Sequence, residues 1–145
     1  MTRKLAVDVG AVRIGLAISE GALVLPLETI ANDEMSRDRI SEICSDRSIQ
    51  TIYVGLPLSL NGSHTASTDS AVAFARTLTA TGLPVRLIDE RLSTKSAQRM
   101  ITSLGKSTKQ SRGYIDAQAA AGILEFALQS ERSGLAGIAV EEFNA

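Results

Sequence analysis

The chain has 145 residues, about the size of one domain, and its 15 Lys and Arg against 16 Asp and Glu leave a formal net charge of −1. That balance excludes a broadly basic surface for non-specific nucleic-acid binding, but not a local basic patch. Hydrophobic residues make up 44% and aromatics only 3%, so the expected core is aliphatic, and a chain this long can bury roughly two-thirds of its unfolded surface without disulfides or metals as staples.

The chain opens MTRKLAVDVGAVRIG, with charges at Asp8 and Arg13, which leaves no long apolar signal segment. No later run approaches the roughly 20 apolar residues of a membrane span. Leu5–Val9 and Ile14–Ser19 read as strands, and Gly10 to Arg13 fits a hairpin connection between them. Leu23–Leu27 is a third short strand, with Pro26 marking an edge or an end. Ser36–Asp46 sets Ile40, Ile43 and Cys44 at helical spacing, with Asp33 as a candidate N-cap. Cys44 is the only cysteine, so no intrachain disulfide can form, and Cys and His are too few for a zinc site. A reduced, soluble, cytoplasmic protein is the expectation.

Thr51–Leu56 is a β-branched strand ended by Pro57, and a polar loop follows to Thr68. Asp69–Thr81 is predicted as a helix stopped by Gly82, and Val85–Ile88 as a strand. Ser93–Leu104 places Ala97, Met100, Ile101 and Leu104 at i, i+3, i+4 and i+7. A basic loop, Gly105–Gly113, leads to the last helix, Ile115–Ser130. Three tightly linked strands should be antiparallel, and strands alternating with helices should join in parallel. The expected fold is α/β: a mixed five-stranded sheet, three antiparallel strands then two parallel, with helices on both faces. Residues 1–136 form the expected domain and 137–145 a short tail.

Three carboxylates sit where burial makes them costly. Asp8 interrupts the apolar strand LAVDVG. Gly10 lies on its face and leaves room for a close approach. A buried pair with Arg13 or Arg91 would satisfy Asp8 without any function. Asp89 and Glu90 end the strand VRLI, at the edge where open α/β sheets present ligands, and only one of them should face a site. A solvated strand end is the plainer reading. Asp116 shares the apolar stripe of the last helix with Ala120, Ile123 and Ala127, and the small Ala119 and Ala120 would let that helix sit close. An acid in a helix's first turn is also favoured by the helix dipole alone. Together the three would repel one another, and a divalent cation with oxygen ligands, Mg²⁺ or Mn²⁺, relieves that repulsion. Two such ions can activate water against a phosphodiester with no Ser, Cys or His nucleophile. The lone His64 lies in a polar loop and reads as solvated.

The stretches DVGAVRIGLAIS at 8–19, VGLPLSLNG at 54–62, DERLST at 89–94 and GYIDAQAAAGIL at 113–124 resemble the YqgF (RuvX) family, over about residues 4–130. That resemblance implies an RNase H-like fold related to the RuvC Holliday junction resolvases. It implies an endonuclease that matures the 5′ end of precursor 16S rRNA, with Asp8, Glu90 and Asp116 as the catalytic and metal-binding triad and Mg²⁺ or Mn²⁺ as cofactor. The resemblance thus chooses Glu90 over Asp89. Candidates for holding backbone phosphates are Arg13, Arg91, Lys106, Lys109 and Arg112. One departure from the family is that Leu58 to Ala75 carries no Lys or Arg.

Precursor 16S rRNA, free or within the ribosomal particle, is the expected partner, with branched DNA the alternative. The chain would act as a monomer or a homodimer, the latter suiting paired cuts in a junction. A non-catalytic ribosome-assembly or nucleic-acid-binding factor is a third reading. DVGAVRIGLAIS also looks like the phosphate motif of actin-like ATPases, but those use two such domains around their nucleotide, and one domain of this length cannot build the cleft.

Overall fold

The computed structural model describes residues 2–92, 108–134 and 137–143. Strands β1 (Arg3–Val9), β2 (Arg13–Glu20) and β3 (Leu23–Ala31) form an antiparallel meander. Helix α1 (Ser36–Asp46) crosses to β4 (Thr51–Leu56), which pairs parallel to β1. Helix α2 (Ala66–Leu78) crosses to β5 (Val85–Asp89), parallel to β4. Helix α3 (Thr108–Arg132) follows, and β6 (Ile138–Ala139) closes the sheet antiparallel to β5. The strand order is β3-β2-β1-β4-β5-β6.

The mixed α/β architecture is as expected, with the strand count corrected from five to six. Two residues after Gly137 make the difference, too few to give a period-2 pattern. A Cβ on Gly137, whose φ is +73°, would run into the Leu87 carbonyl oxygen, so glycine lets the chain turn flush against β5.

Alternation along the strands sorts the core into two layers. Leu5, Val7, Leu16, Ile52, Val54 and Leu87 face α1 and α2. Ala6, Ala17, Tyr53 and Ile88 face α3, which answers with Ala120, Ile123, Leu124 and Ala127. Helices thus cover both faces, and alanine against alanine brings α3 close to the strands. At the far end of that layer Lys4 Nζ lies 2.5 Å from Glu131 Oε1, and the Tyr53 hydroxyl donates to the same carboxylate. This pins the last turn of α3.

Several boundaries move for local reasons. β3 runs on to Ala31 because it is an edge strand, and a bulge opposite Leu16 and Ala17 accommodates Pro26. Asp33 does not cap α1. Its carboxylate accepts from the Met35 N–H one residue before the helix. α2 starts three residues early because Thr65 and Thr68 form a reciprocal capping box, and its predicted end, Thr79–Thr81, is a 3₁₀ turn closed by Gly82 at φ +82°. The predicted basic loop before α3 is helical from Thr108, since Lys, Gln and Arg extend a helix well and one internal glycine costs only about 1 kcal/mol. The predicted helix Ser93–Leu104 lies outside the described residues. Among those described, no helix is long and apolar enough to cross a membrane.

Cys44 is buried on α1, and burial pushes its thiol up to about 11. It is expected to resist a thiol-specific disulfide reagent at pH 7.5 and to react fully once denaturant unfolds the chain. Rapid labelling of the native protein would contradict this burial.

Candidate active site

The parallel strands β1, β4 and β5 end on one side of the sheet, and the carboxylates gather there. Asp8 projects from β1 toward the α3 layer, opposite Gly15 of β2. Asp89 ends β5, Glu90 follows it, and the two point apart. The Asp89 carboxylate is gripped by Arg91, through Nε at 3.1 Å and Nη2 at 2.6 Å, and this holds it below the usual carboxylate range. Glu90 turns the other way and hydrogen-bonds the Asp8 side chain. Asp116 sits in α3 above β2, with its Oδ2 accepting from Arg13 Nε at 2.7 Å.

Two glycines make this convergence possible. Glu90 lies beyond β5, and β4 stands between it and Asp8. At Gly55 on β4, a Cβ would lie 2.5 Å from Glu90 Oε1 and 2.6 Å from Ile123 Cδ1, so the missing side chain is the channel through which Glu90 reaches Asp8. A Cβ at Gly15 would overlap the Asp116 carbonyl, so α3 rests its backbone directly on β2 there. Sequence reasoning missed both positions. The signal was present as a glycine inside each of two predicted strands, a pattern that marks close approach. The room expected at Gly10 is used differently: a Cβ there would meet the Arg13 carbonyl oxygen at 2.5 Å, and Gly10 N–H donates to that oxygen to close the hairpin.

The electrostatics follow from this packing. Burial pushes the Glu90 carboxyl up to about 9, aided by its hydrogen bond to Asp8 and by the charges of Asp8 and Asp89. Burial also raises Asp8, with Asp116 adding repulsion and the Glu90 hydrogen bond opposing both. At neutral pH the pair therefore carries a proton between two half-buried carboxyl groups. The salt-bridge alternative for Asp8 does not hold: Arg13 serves Asp116, and Arg91 serves Asp89.

The structure thus brings Asp8 and Glu90 into contact, with Asp116 near enough to raise Asp8 but turned onto Arg13. Among the described residues, no three Asp, Glu, His or Cys side chains stand as a finished metal cage. By donor type the residues fit a hard divalent ion, because two half-buried carboxyl groups set against each other supply the oxygen ligands such an ion takes. Arg13 lies at the site on Asp116, and Arg91 is held on Asp89 and the Leu60 carbonyl. Lys109 and Arg112 fall on the first turns of α3, while their side chains and all of Lys106 lie outside the described residues. His64 is in the loop after β4 and stacks on Phe143, with ring centroids 5.2 Å apart.

A family model described as RuvX, Holliday junction resolvase, matches residues 2–130. The chain belongs to the RuvX family. A relative from Leifsonia xyli subsp. xyli, whose curated name proposes a pre-16S rRNA nuclease, is 51% identical to this RuvX protein over 135 residues, covering 90% of this chain and 87% of the relative. One from Corynebacterium jeikeium, named in the same way, is 42% identical over 139 residues, covering 92% and 90%. Among solved structures, Thermus thermophilus RuvC in complex with a Holliday junction substrate superposes with a TM-score of 0.65 at 14% identity, over 96% of this RuvX chain and 99% of that one. At that identity the likeness concerns the fold alone.

Proposed function

We propose that this chain is a metal-dependent endonuclease that hydrolyses phosphodiester bonds, and that it matures the 5′ end of precursor 16S rRNA. The observation that carries the reading is the half-buried Asp8–Glu90 carboxyl pair, fed by the Gly55 channel, with Asp116 seated beside it by Gly15. A purely structural site has no reason to set two half-buried acids against each other while Arg13 and Arg91 serve Asp116 and Asp89. The names of the relatives favour precursor rRNA as the substrate.

Asp8 and Glu90 would hold Mg²⁺ or Mn²⁺, joined by Asp116. When bound, such an ion supplies positive charge to the scissile phosphodiester and makes a nearby water more acidic. The remaining work belongs to the chain. Glu90 would shed its proton on joining Asp8 in holding the ion. Arg13, with its side chain 37% exposed, holds Asp116 in register and presents the rest of its guanidinium to a backbone phosphate. Ile123, packed beside Glu90 at Gly55, keeps bulk water off the inner side of the pair.

The test is cleavage of a labelled precursor 16S rRNA 5′ leader and of a four-way DNA junction, each with Mn²⁺, Mg²⁺ or EDTA. Metal-dependent cleavage of the RNA at a defined position is the expected result. Cutting of the junction alone would favour the reading contained in the family's description. No cleavage of either substrate, free or within a ribosomal particle, would leave a binding factor.

Gly55→Ala follows from the same geometry. Its methyl group occupies the place of Glu90 Oε1. Stability is expected to fall by about 1–3 kcal/mol, as for other overpacked cores. Cleavage is expected to fall more than tenfold, because the carboxylate is displaced by ångströms. Denaturant melts and initial rates, measured side by side, check both. A variant with wild-type rates would show that Glu90 does not need this channel.

A further inference from the structure

The segment after α3 reaches back to the active site through the loop that follows β4. Val140 is buried in the core, and Arg86 Nη2 donates to the Gly137 carbonyl at 2.8 Å, so the segment is anchored on the β5 edge. Arg76 Nη2 donates to the Phe143 carbonyl at 3.2 Å, which holds the Phe143 ring against His64.

His64 is one end of a small closed hairpin. Leu58 and His64 form a β-bridge, and inside it Ser59 N–H donates to the Ser63 carbonyl and Gly62 N–H to the Ser59 carbonyl. A hairpin tied this way moves as one piece. At its tip the Leu60 carbonyl accepts from Arg91 Nη1 at 3.3 Å. Gly62, at φ +86°, takes the left-handed turn that sets the tip beside the guanidinium, where a Cβ would be in ordinary contact with Nη1 at 3.4 Å. The remaining nitrogens of Arg91 grip Asp89, and Glu90 lies between these two residues in the chain. The backbone position of Glu90 is therefore bracketed by a clamp whose outer end is the hairpin.

We propose that Phe143 is a positioning residue for the nuclease: stacked on His64, it fixes the 58–64 hairpin, which through Arg91 sets the turn that aims Glu90 at Asp8. This rests on the nuclease reading above. Phe143 acts on the acids only through His64 and Arg91, so its effect should fall on turnover rather than on substrate binding.

The test uses the full chain carrying Phe143→Ala, Phe143→Tyr or His64→Ala, at a temperature where circular dichroism shows all three folded. In Phe143→Ala, kcat is expected to fall roughly tenfold with KM within about twofold of wild type. His64→Ala should reproduce the loss from the other side of the stack, and Phe143→Tyr should restore the rate. The Arg91 Nε–Hε resonance should shift in the two alanine variants and not in the tyrosine variant. An unmoved Arg91 resonance in folded Phe143→Ala overturns the proposal, as does a change in KM alone. A wild-type protein that cuts nothing refutes the nuclease reading. The resonance, which needs no activity, then decides whether the strap governs the Glu90 turn.

Discussion

Asp8→Asn is expected to abolish cleavage and, in the same protein, to raise stability in EDTA. The loss of activity should be at least about 10²-fold, equivalent to ~2.7 kcal/mol of barrier. The gain in stability comes from the opposite side of the same fact. Asp8 and Glu90 are half-buried together, and their folded-state pKa values are displaced upward. An acid whose pKa is raised on folding holds its proton better in the native state than in the unfolded chain. Its stabilising effect is fully present below the unfolded value and is lost as pH climbs through the folded one. For Glu90 that window runs from 4.5 to about 9. Wild-type stability in EDTA should therefore decline across this range, and Asp8→Asn, which removes one of the two charges, should flatten the decline. At pH 8 the variant should be more stable by about 1–3 kcal/mol, the scale for a buried polar group relieved of an uncompensated neighbour. Urea melts at pH 5, 7 and 9 measure this. A variant less stable than wild type at pH 8 would falsify the picture of a mutually repelling pair.

Gly15→Ala should be more damaging than Gly55→Ala. At Gly55 the colliding atoms are largely side chains, and they can give way. At Gly15 they are the carbonyl of Asp116 and the amide of Ala117, backbone atoms inside a helix. The helix must lift as a body, which separates Ala120 and Ala127 from Ala6 and Ala17 and carries Asp116 away from Arg13. A loss of at least about 3 kcal/mol is expected, at or beyond the upper end of the usual overpacking range, because no rotamer change relieves the clash. Cleavage should disappear even where the protein remains folded. Thermal melts and rates of the variant check this. Near-wild-type stability would mean that α3 does not rest on β2 at this point.

The fold was largely legible because its signals are local. Three short runs joined by tight turns dictate a meander, and the later alternation of strands with helices dictates parallel pairing. β6 was illegible because two residues carry no period, and the early start of α3 because a polar, basic stretch suits loop and helix alike. At the site, the apolar setting of Asp8 and the helical stripe through Asp116 pointed to their inward faces. Alternation said that only one of Asp89 and Glu90 could join them, and the family resemblance, rather than periodicity, chose Glu90. What no pattern of side chains announces is the work of an absent one. Gly15 and Gly55 act through contacts between residues far apart in the chain, and such contacts become visible only once strands and helix are assembled. The engagement of Arg13 with Asp116 and of Arg91 with Asp89, rather than with Asp8, is of the same long-range or turn-dependent kind.

The two borders of the sheet bear on how copies of this chain meet. An open sheet can grow by adding a neighbour's strand wherever a straight border offers a row of free amide and carbonyl groups. Here one border is β3, interrupted by a bulge and by a proline with no amide hydrogen, and the other is β6, only two residues long. Neither offers a long template. Crowded molecules, as in a concentrated stock, should therefore stay separate or associate through helices and loops, and the protein should resist fibre formation without help from a large net charge.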